Sequence, residues 1–104
     1  MKILIIDTAD NKKNTVGLKI GNKEYLLTEN IPSNKEQVIL LMIDKILKKY
    51  RVEPEDLSAI QINVGPGSYT GLRVGLAIAN TLSFALKIPV NGKKIGEIIL
   101  PIYR

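Results

Sequence analysis

The chain contains neither cysteine nor histidine among its 104 residues. Without cysteine it forms no disulfide, and it offers no thiolate for a metal ion or for nucleophilic catalysis. Without histidine it lacks the commonest general base and the commonest metal ligand of proteins. Catalysis would have to rely on carboxylates, lysines, tyrosines or hydroxyl groups. We therefore expect a protein that is not an enzyme and that holds no cofactor and no metal.

Long apolar runs are scarce as well. The N-terminal segment reaches Asp7 after six residues, which is too short and too soon acidic for a signal peptide. The apolar stretch from Val74 to Leu86 contains Asn80 and Thr81. It is shorter than the roughly 20 residues needed to span a bilayer. We expect a cytoplasmic protein without membrane contact.

The charge of the chain is basic, with a formal net charge of +5. A positive charge is compatible with an acidic partner such as RNA. However, the lysines are scattered along the sequence, and no basic-aromatic recognition motif accompanies them. The distribution therefore favours ordinary surface charge over a nucleic-acid site. The length allows one modest core, and it is too short for two lobes around a cleft.

Apolar patterning predicts an α/β fold. The pattern predicts strands, helices and connections as follows: a buried strand Lys2–Ile6, a hairpin of Thr15–Ile20 and Lys23–Glu29 around Gly21-Asn22, a capping box Ser33–Glu36, a helix to about Tyr50 or Arg51, a strand Ser58–Val64, a helix Thr70–Leu86 and a short strand Ile88–Val90. Because each helix links neighbouring strands, we expect a mixed sheet of about five strands with a right-handed crossover and two main helices.

Both predicted helices carry more apolar surface than one sheet requires. In the first helix the apolar side chains span an arc of about 160°, whereas a stripe of about 100° suffices. The second helix has Arg73 as its only charge between Gly71 and Leu86. Such a surplus marks a protein interface, unless the tail folds back and covers it. The expected partner interface consists of Val38, Met42, Ile46, Leu72, Gly75, Leu76, Ala79, Leu82 and Ser83.

A glycine-rich loop precedes the second helix. Amides at a helix N-terminus bind anions, but this loop has neither the Walker lysine nor a dinucleotide fingerprint. We interpret Gly65, Pro66, Gly67 and Gly71 as a structural loop that allows unusual backbone angles and close packing. A phosphate cradle is the alternative. Asp7 ends the first strand, and we expect its carboxylate to bond to turn amides.

Four segments together resemble one family. They are Ile5–Thr8, Gln37–Ile43, the eleven residues Gly65–Gly75, and Leu86–Val90. They are similar to the N-terminal lobe of the TsaB (YeaZ) family, the non-catalytic partner subunit in bacterial tRNA threonylcarbamoyladenosine synthesis. The resemblance assigns residues 1–92 to a TsaB-like lobe and residues 93–104 to a C-terminal tail. The last four residues resemble the C-terminal end of longer members, so the chain looks like a member reduced to its first lobe.

The resemblance implies an actin-like (ASKHA, ribonuclease H-like) lobe. It also implies a heterodimer with a TsaD-type catalytic subunit, formed by the two helices of each lobe packing as a four-helix bundle. A TsaE-type ATPase joins that assembly, and contact with tRNA is indirect or weak. TsaD-type subunits bind metal through a histidine pair after the strand corresponding to Ile88–Val90. Here Asn91-Gly92-Lys93-Lys94 follows, so no metal site carries over.

Two alternatives stay open from the sequence. The first is a homodimeric scaffold or interaction protein without a role in tRNA modification, which uses the same helices against a second copy. The second is a small nucleotide-binding lobe that uses the glycine loop. A partner subunit that self-associates when alone would also form a homodimer. The two hypotheses therefore differ in whether addition of the TsaD-type partner breaks the homodimer.

Overall fold

The structure is a computed structural model that describes residues 1–31 and 35–102, without the side chains of residues 35–37. It contains four strands, two α-helices and one turn of 3₁₀ helix. In chain order these are β1 (Lys2–Asp7), β2 (Lys13–Ile20), β3 (Lys23–Asn30), α1 (Lys35–Lys49), the 3₁₀ turn Pro54–Asp56, β4 (Ala59–Ile62) and α2 (Tyr69–Leu86). The predicted capping box Ser33–Glu36 lies outside the described residues.

The four strands form one mixed sheet in the order β3-β2-β1-β4. Strand β2 pairs antiparallel with both β1 and β3, as the hairpin signal predicts, whereas β4 runs parallel to β1. The expected class, an α/β fold with a mixed sheet and two main helices, is confirmed.

The predicted fifth strand at Ile88–Val90 is reduced to one parallel bridge, between Val90 and Ile60. Beyond that bridge the chain leaves the sheet, because Asn91 adopts a left-handed backbone with φ of 51°. The Asn91 side chain then takes the place of a strand. Its Oδ1 accepts from the Ile62 amide at 2.8 Å, and its Nδ2 donates to the Ile62 carbonyl at 3.0 Å. The outer edge of β4 is thus covered by a side chain.

The core lies between one face of the sheet and the two helices. On that face the strand residues are buried in β1, β2 and β4 and half-buried in β3, with side chains alternating between the two faces as the period of two requires. The fully buried apolar strand residues are Leu4, Ile6, Val16, Leu18 and Ile60. On the opposite face Leu26 is 59% exposed. The helices therefore cover one face of the sheet only.

Asn14 on β2 is a polar side chain within this core. It is completely buried, and neither amide atom has a hydrogen-bond partner among the described residues. An unsatisfied buried amide costs about 1–3 kcal/mol. We predict that Asn14→Val raises the free energy of unfolding by a similar amount, measured by urea denaturation. The neighbouring Thr15→Val is the control, because the Thr15 hydroxyl bonds to Thr28 at 2.9 Å, and it should bring no gain. A loss of stability in Asn14→Val would contradict the prediction.

Candidate partner-binding surface

The glycine loop connects β4 to α2 through two close approaches. Gly65 has φ of +111°, and a Cβ there would overlap the carbonyl of Ile102. A Cβ on Gly67 would lie 2.7 Å from the Ala9 carbonyl oxygen. Only glycine readily adopts the backbone angle of Gly65, and neither position has room for a Cβ. The loop therefore holds the start of α2 against the end of β1 and against the tail.

Three amide groups of this loop and of the first turn of α2 are engaged within the chain. The Gly65 amide donates to Asn63 Oδ1 at 2.9 Å, and the Ser68 amide donates to the Ala9 carbonyl at 2.7 Å. Ser68 is the N-cap of α2, and its Oγ accepts from the Gly71 amide at 3.2 Å. A phosphate at a helix N-terminus needs such amides free. These three amides are therefore taken up within the chain and are not available to a phosphate.

Asp7 stands at the end of β1 next to this loop. Its Oδ1 accepts from the Ala9 amide at 3.1 Å, which confirms the expected bond to a turn amide. The Asn63 side chain approaches both carboxylate oxygens at 3.4 Å. In the following turn, a hydrogen bond from the Lys12 amide lowers the pKa of Asp10. No three Asp or Glu residues in the described part of the chain are grouped so that they could hold a metal ion.

Most of the residues predicted for the partner interface face the interior instead. Val38 and Leu82 are half-buried. The other seven are buried: Met42, Ile46, Leu72, Gly75, Leu76, Ala79 and Ser83. These seven residues pack within this chain, so they do not present a surface to a partner. The predicted set is corrected accordingly.

The small residues of α2 explain the correction. Gly71, Gly75, Ala79 and Ser83 repeat every four residues, and all four are buried. Thr8, directly after β1, donates from Oγ1 to the Gly71 carbonyl at 2.6 Å, and a Cβ on Gly75 would overlap this Thr8 Oγ1. The small side chains therefore let α2 lie close to the sheet. The sequence does not distinguish this close approach to a sheet from close approach to a partner helix.

Exposed apolar side chains also lie on the outer sides of the same two helices. Leu40 is 53% exposed and Leu41 is 62% exposed on α1, and Phe84 is 79% exposed on α2. Between the helices runs an open groove of about 290 Å³, which we call the α1–α2 groove. Its lining residues are Leu40, Val74, Ala77, Ile78, Thr81 and Leu82. The surplus apolar arc of the sequence is the signal for this groove, but of its residues only Leu82 belonged to the predicted set.

The tail covers a different flank of α2. Ile99 is buried, and its backbone amide and carbonyl each bond to the Asn80 side chain at 3.2 Å. The Ile102 amide donates to the Val64 carbonyl at 2.7 Å. The tail folds back along α2 in this way while the α1–α2 groove stays open. Within residues 1–31 and 35–102, no helix is long and apolar enough to cross a membrane.

A family model and a solved structure both match this chain. The family model for TsaD, tRNA N6-adenosine threonylcarbamoyltransferase, matches residues 29–93, which is more than half of the chain. YeaZ from Pseudomonas aeruginosa superposes with a TM-score of 0.81 at 29% identity over 89% of this chain and 43% of that one. The protein is thus a lobe of the actin-like α/β type found in that family.

Individual relatives narrow the assignment. The tRNA threonylcarbamoyladenosine biosynthesis protein TsaB of Bacillus subtilis is 32% identical over 99% of this chain and 50% of its own length. TsaB of Escherichia coli is 35% identical over 88% of this chain and 39% of its own length. The chain belongs to the TsaB (YeaZ) group of the TsaD family. It spans about half the length of the curated relatives it matches.

Proposed function

We propose that the chain is a non-catalytic subunit that binds and supports a TsaD-type enzyme in threonylcarbamoyl modification of adenosine in tRNA. The observation that carries this proposal is the exposed apolar α1–α2 groove on a lobe of the TsaB group. The proposed setting is a cytoplasmic complex that also includes a TsaE-type ATPase. Relatives named for tRNA threonylcarbamoyladenosine biosynthesis support the pathway.

The groove has the properties of a helix-docking surface. Ala77 and Thr81 are exposed and lie one turn apart on α2, so a partner helix can approach closely between larger neighbours. Leu40 on α1 lines the opposite side of the groove. Burying exposed apolar area contributes about 25 cal/mol per Å², so the leucines and isoleucine of this surface are the expected affinity determinants.

Co-expression tests the proposal directly. The chain and a tagged TsaD-type subunit from the same organism should co-purify at equal stoichiometry at micromolar concentration. Failure of the folded chain to co-purify would overturn the proposal. Light scattering of the isolated chain should show a homodimer formed through the same groove. Addition of the TsaD-type subunit should convert it to a heterodimer, whereas a homodimeric scaffold would stay intact.

A matched pair of leucines locates the interface. Leu40→Glu should lower the affinity for the TsaD-type subunit at least about tenfold, because a carboxylate would be desolvated in the groove. Leu26→Glu is the control, since Leu26 is similarly exposed but lies on the face of the sheet that the helices leave open. Titration calorimetry gives the two affinities, and circular dichroism checks that both variants fold. Equal losses in both variants, or none in Leu40→Glu, would place the interface elsewhere.

The nucleotide-binding alternative has a separate test. The amides of Gly65 and Ser68 are engaged within the chain, so a phosphate could not bind to them. We therefore expect no heat on titrating ATP with Mg²⁺ into the isolated chain. A saturable heat would favour the small nucleotide-binding lobe.

A further inference from the structure

The fold brings together basic and aromatic residues that are far apart in the sequence. Tyr25 near the start of β3 stacks on Tyr50 at the end of α1, with ring centroids 4.3 Å apart and an interplanar angle of 28°. The Nζ of Lys49 lies 5.6 Å from the Tyr50 ring centroid. We call this region the Tyr25–Tyr50 corner. It comprises Lys23, Tyr25, Lys48, Lys49, Tyr50 and Arg51.

The cations of the corner are exposed and mostly free of carboxylates. Lys23 lies two residues before Tyr25, so it shares that face of β3. Lys48 bonds to Asp44 at 2.9 Å. Elsewhere in the described part of the chain the salt bridge is Lys45–Glu29, so Lys23, Lys49 and Arg51 have no carboxylate within ion-pair distance. Glu24 lies on the other face of the strand, because successive strand residues alternate.

The end of a helix explains only part of this arrangement. Cations near a helix C-terminus stabilise the helix, which accounts for Lys48 and Lys49. It does not account for Lys23 on a strand or for the stacked tyrosines. Arg51 occupies a left-handed position with φ of 55°, where the amides of Arg51 and Val52 close the helix onto Lys48 and Leu47. Glycine is the usual residue at that position, so arginine stands there at a backbone cost, as Lys87 does at the end of α2.

We propose that the Tyr25–Tyr50 corner binds the phosphate backbone of RNA, and that the RNA is the tRNA on which the proposed complex acts. Exposed cations neutralise phosphates, and half-buried aromatic rings beside them offer a face or an edge for an unpaired base. An acidic protein partner would use only the positive charges and would leave the aromatic rings without a role. The choice of tRNA rests on the proposed function, but the corner itself rests on the contacts described above. The chain then contributes directly to holding the RNA, while the α1–α2 groove holds the partner.

Two charge-matched variants test the corner. Lys23→Gln with Lys49→Gln removes two corner cations, and Lys12→Gln with Lys13→Gln removes two exposed lysines near the other end of the sheet. Each pair lowers the formal net charge from +5 to +3. Fluorescence anisotropy with a tRNA transcript, between about 50 and 200 mM salt, gives the affinity and its salt dependence.

The corner pair should bind the transcript about tenfold more weakly at 100 mM salt, with a salt dependence shallower by more than one unit. The Lys12/Lys13 pair should bind like the parent chain. Arg51→Gly should raise the melting temperature while it weakens RNA binding, which a purely structural role would not do. The proposal is overturned if both pairs lose affinity equally, if the parent chain shows no salt-dependent binding, or if an acidic polypeptide such as polyglutamate competes as well as RNA at equal charge.

The corner and the groove are independently testable. The Lys23/Lys49 pair should still co-purify with the TsaD-type subunit, since neither residue lines the groove. If the parent chain fails to co-purify but shows the predicted RNA pattern, the proposed function falls and the corner stands. If it co-purifies and both lysine pairs bind RNA like the parent chain, the corner falls alone.

Discussion

Alanine at Gly75 is expected to lower the free energy of unfolding by about 1–2 kcal/mol, because overpacking costs about 1–3 kcal/mol and outweighs the roughly 1 kcal/mol by which the same change stabilises an open helix. The sign reverses because Gly75 faces Thr8 across the contact between α2 and β1. An added Cβ would overlap the Thr8 hydroxyl and would lie 3.2 Å from both Thr8 Cβ and Cγ2. Neither backbone can withdraw easily, since the Thr8 hydroxyl also bonds to the Gly71 carbonyl. Urea denaturation of the purified chain measures the effect.

A double-mutant cycle with Thr8→Ala identifies the cause. Thr8→Ala removes the overlapping oxygen and one hydrogen bond, so alone it should cost about 1–2 kcal/mol. If the overlap causes the loss, Gly75→Ala should cost at least about 1 kcal/mol less in the Thr8→Ala background than in the parent chain. Additive effects would mean that another neighbour resists the methyl group. A Gly75→Ala variant as stable as the parent would show that α2 does not lie this close to the sheet.

The strands and the two helices could be predicted because local patterns determine them. The alternation in β2, the Gly21-Asn22 hairpin and the apolar run of β1 each identify a strand within a few residues. The sequence overpredicts the fifth strand. The three residues Ile88–Val90 give the same pattern whether they form a single bridge or a full strand. The Asn91 side chain, which replaces that strand, leaves no periodic signal.

The orientation of the helices could not be predicted. When the apolar arc is wider than the stripe that one sheet buries, either side of the helix can face the sheet. The sequence contains nothing that tells the side facing the sheet from the side facing outward. For α2 the decisive contact is Gly75 against Thr8, which are 67 positions apart. The Tyr25–Tyr50 corner could not be predicted either, because its residues are also far apart in the sequence. Its lysines are scattered along the sequence, and the fold brings them together where Tyr25 stacks on Tyr50.

Two alanines on α2 separate folding from partner binding. Ala79 is completely buried and Ala77 is exposed in the α1–α2 groove, and they lie two positions apart on one helix. Ala79→Glu should unfold the chain, because it places an uncompensated carboxylate in the core at a cost of several kcal/mol. Ala77→Glu should change the free energy of unfolding by less than about 0.5 kcal/mol. Circular dichroism and urea denaturation distinguish the two variants.

The folded Ala77→Glu variant then tests the groove without a change in the core. Its carboxylate would meet the partner helix at the point of closest approach, so the affinity for the TsaD-type subunit should fall at least about tenfold. Ala77→Ser is the matched control, since it keeps a small side chain and should bind like the parent chain. A folded Ala77→Glu variant with undiminished affinity would move the interface off the groove. A stable Ala79→Glu variant would instead mean that α2 turns its small residues outward, and the interface predicted from the sequence would be restored.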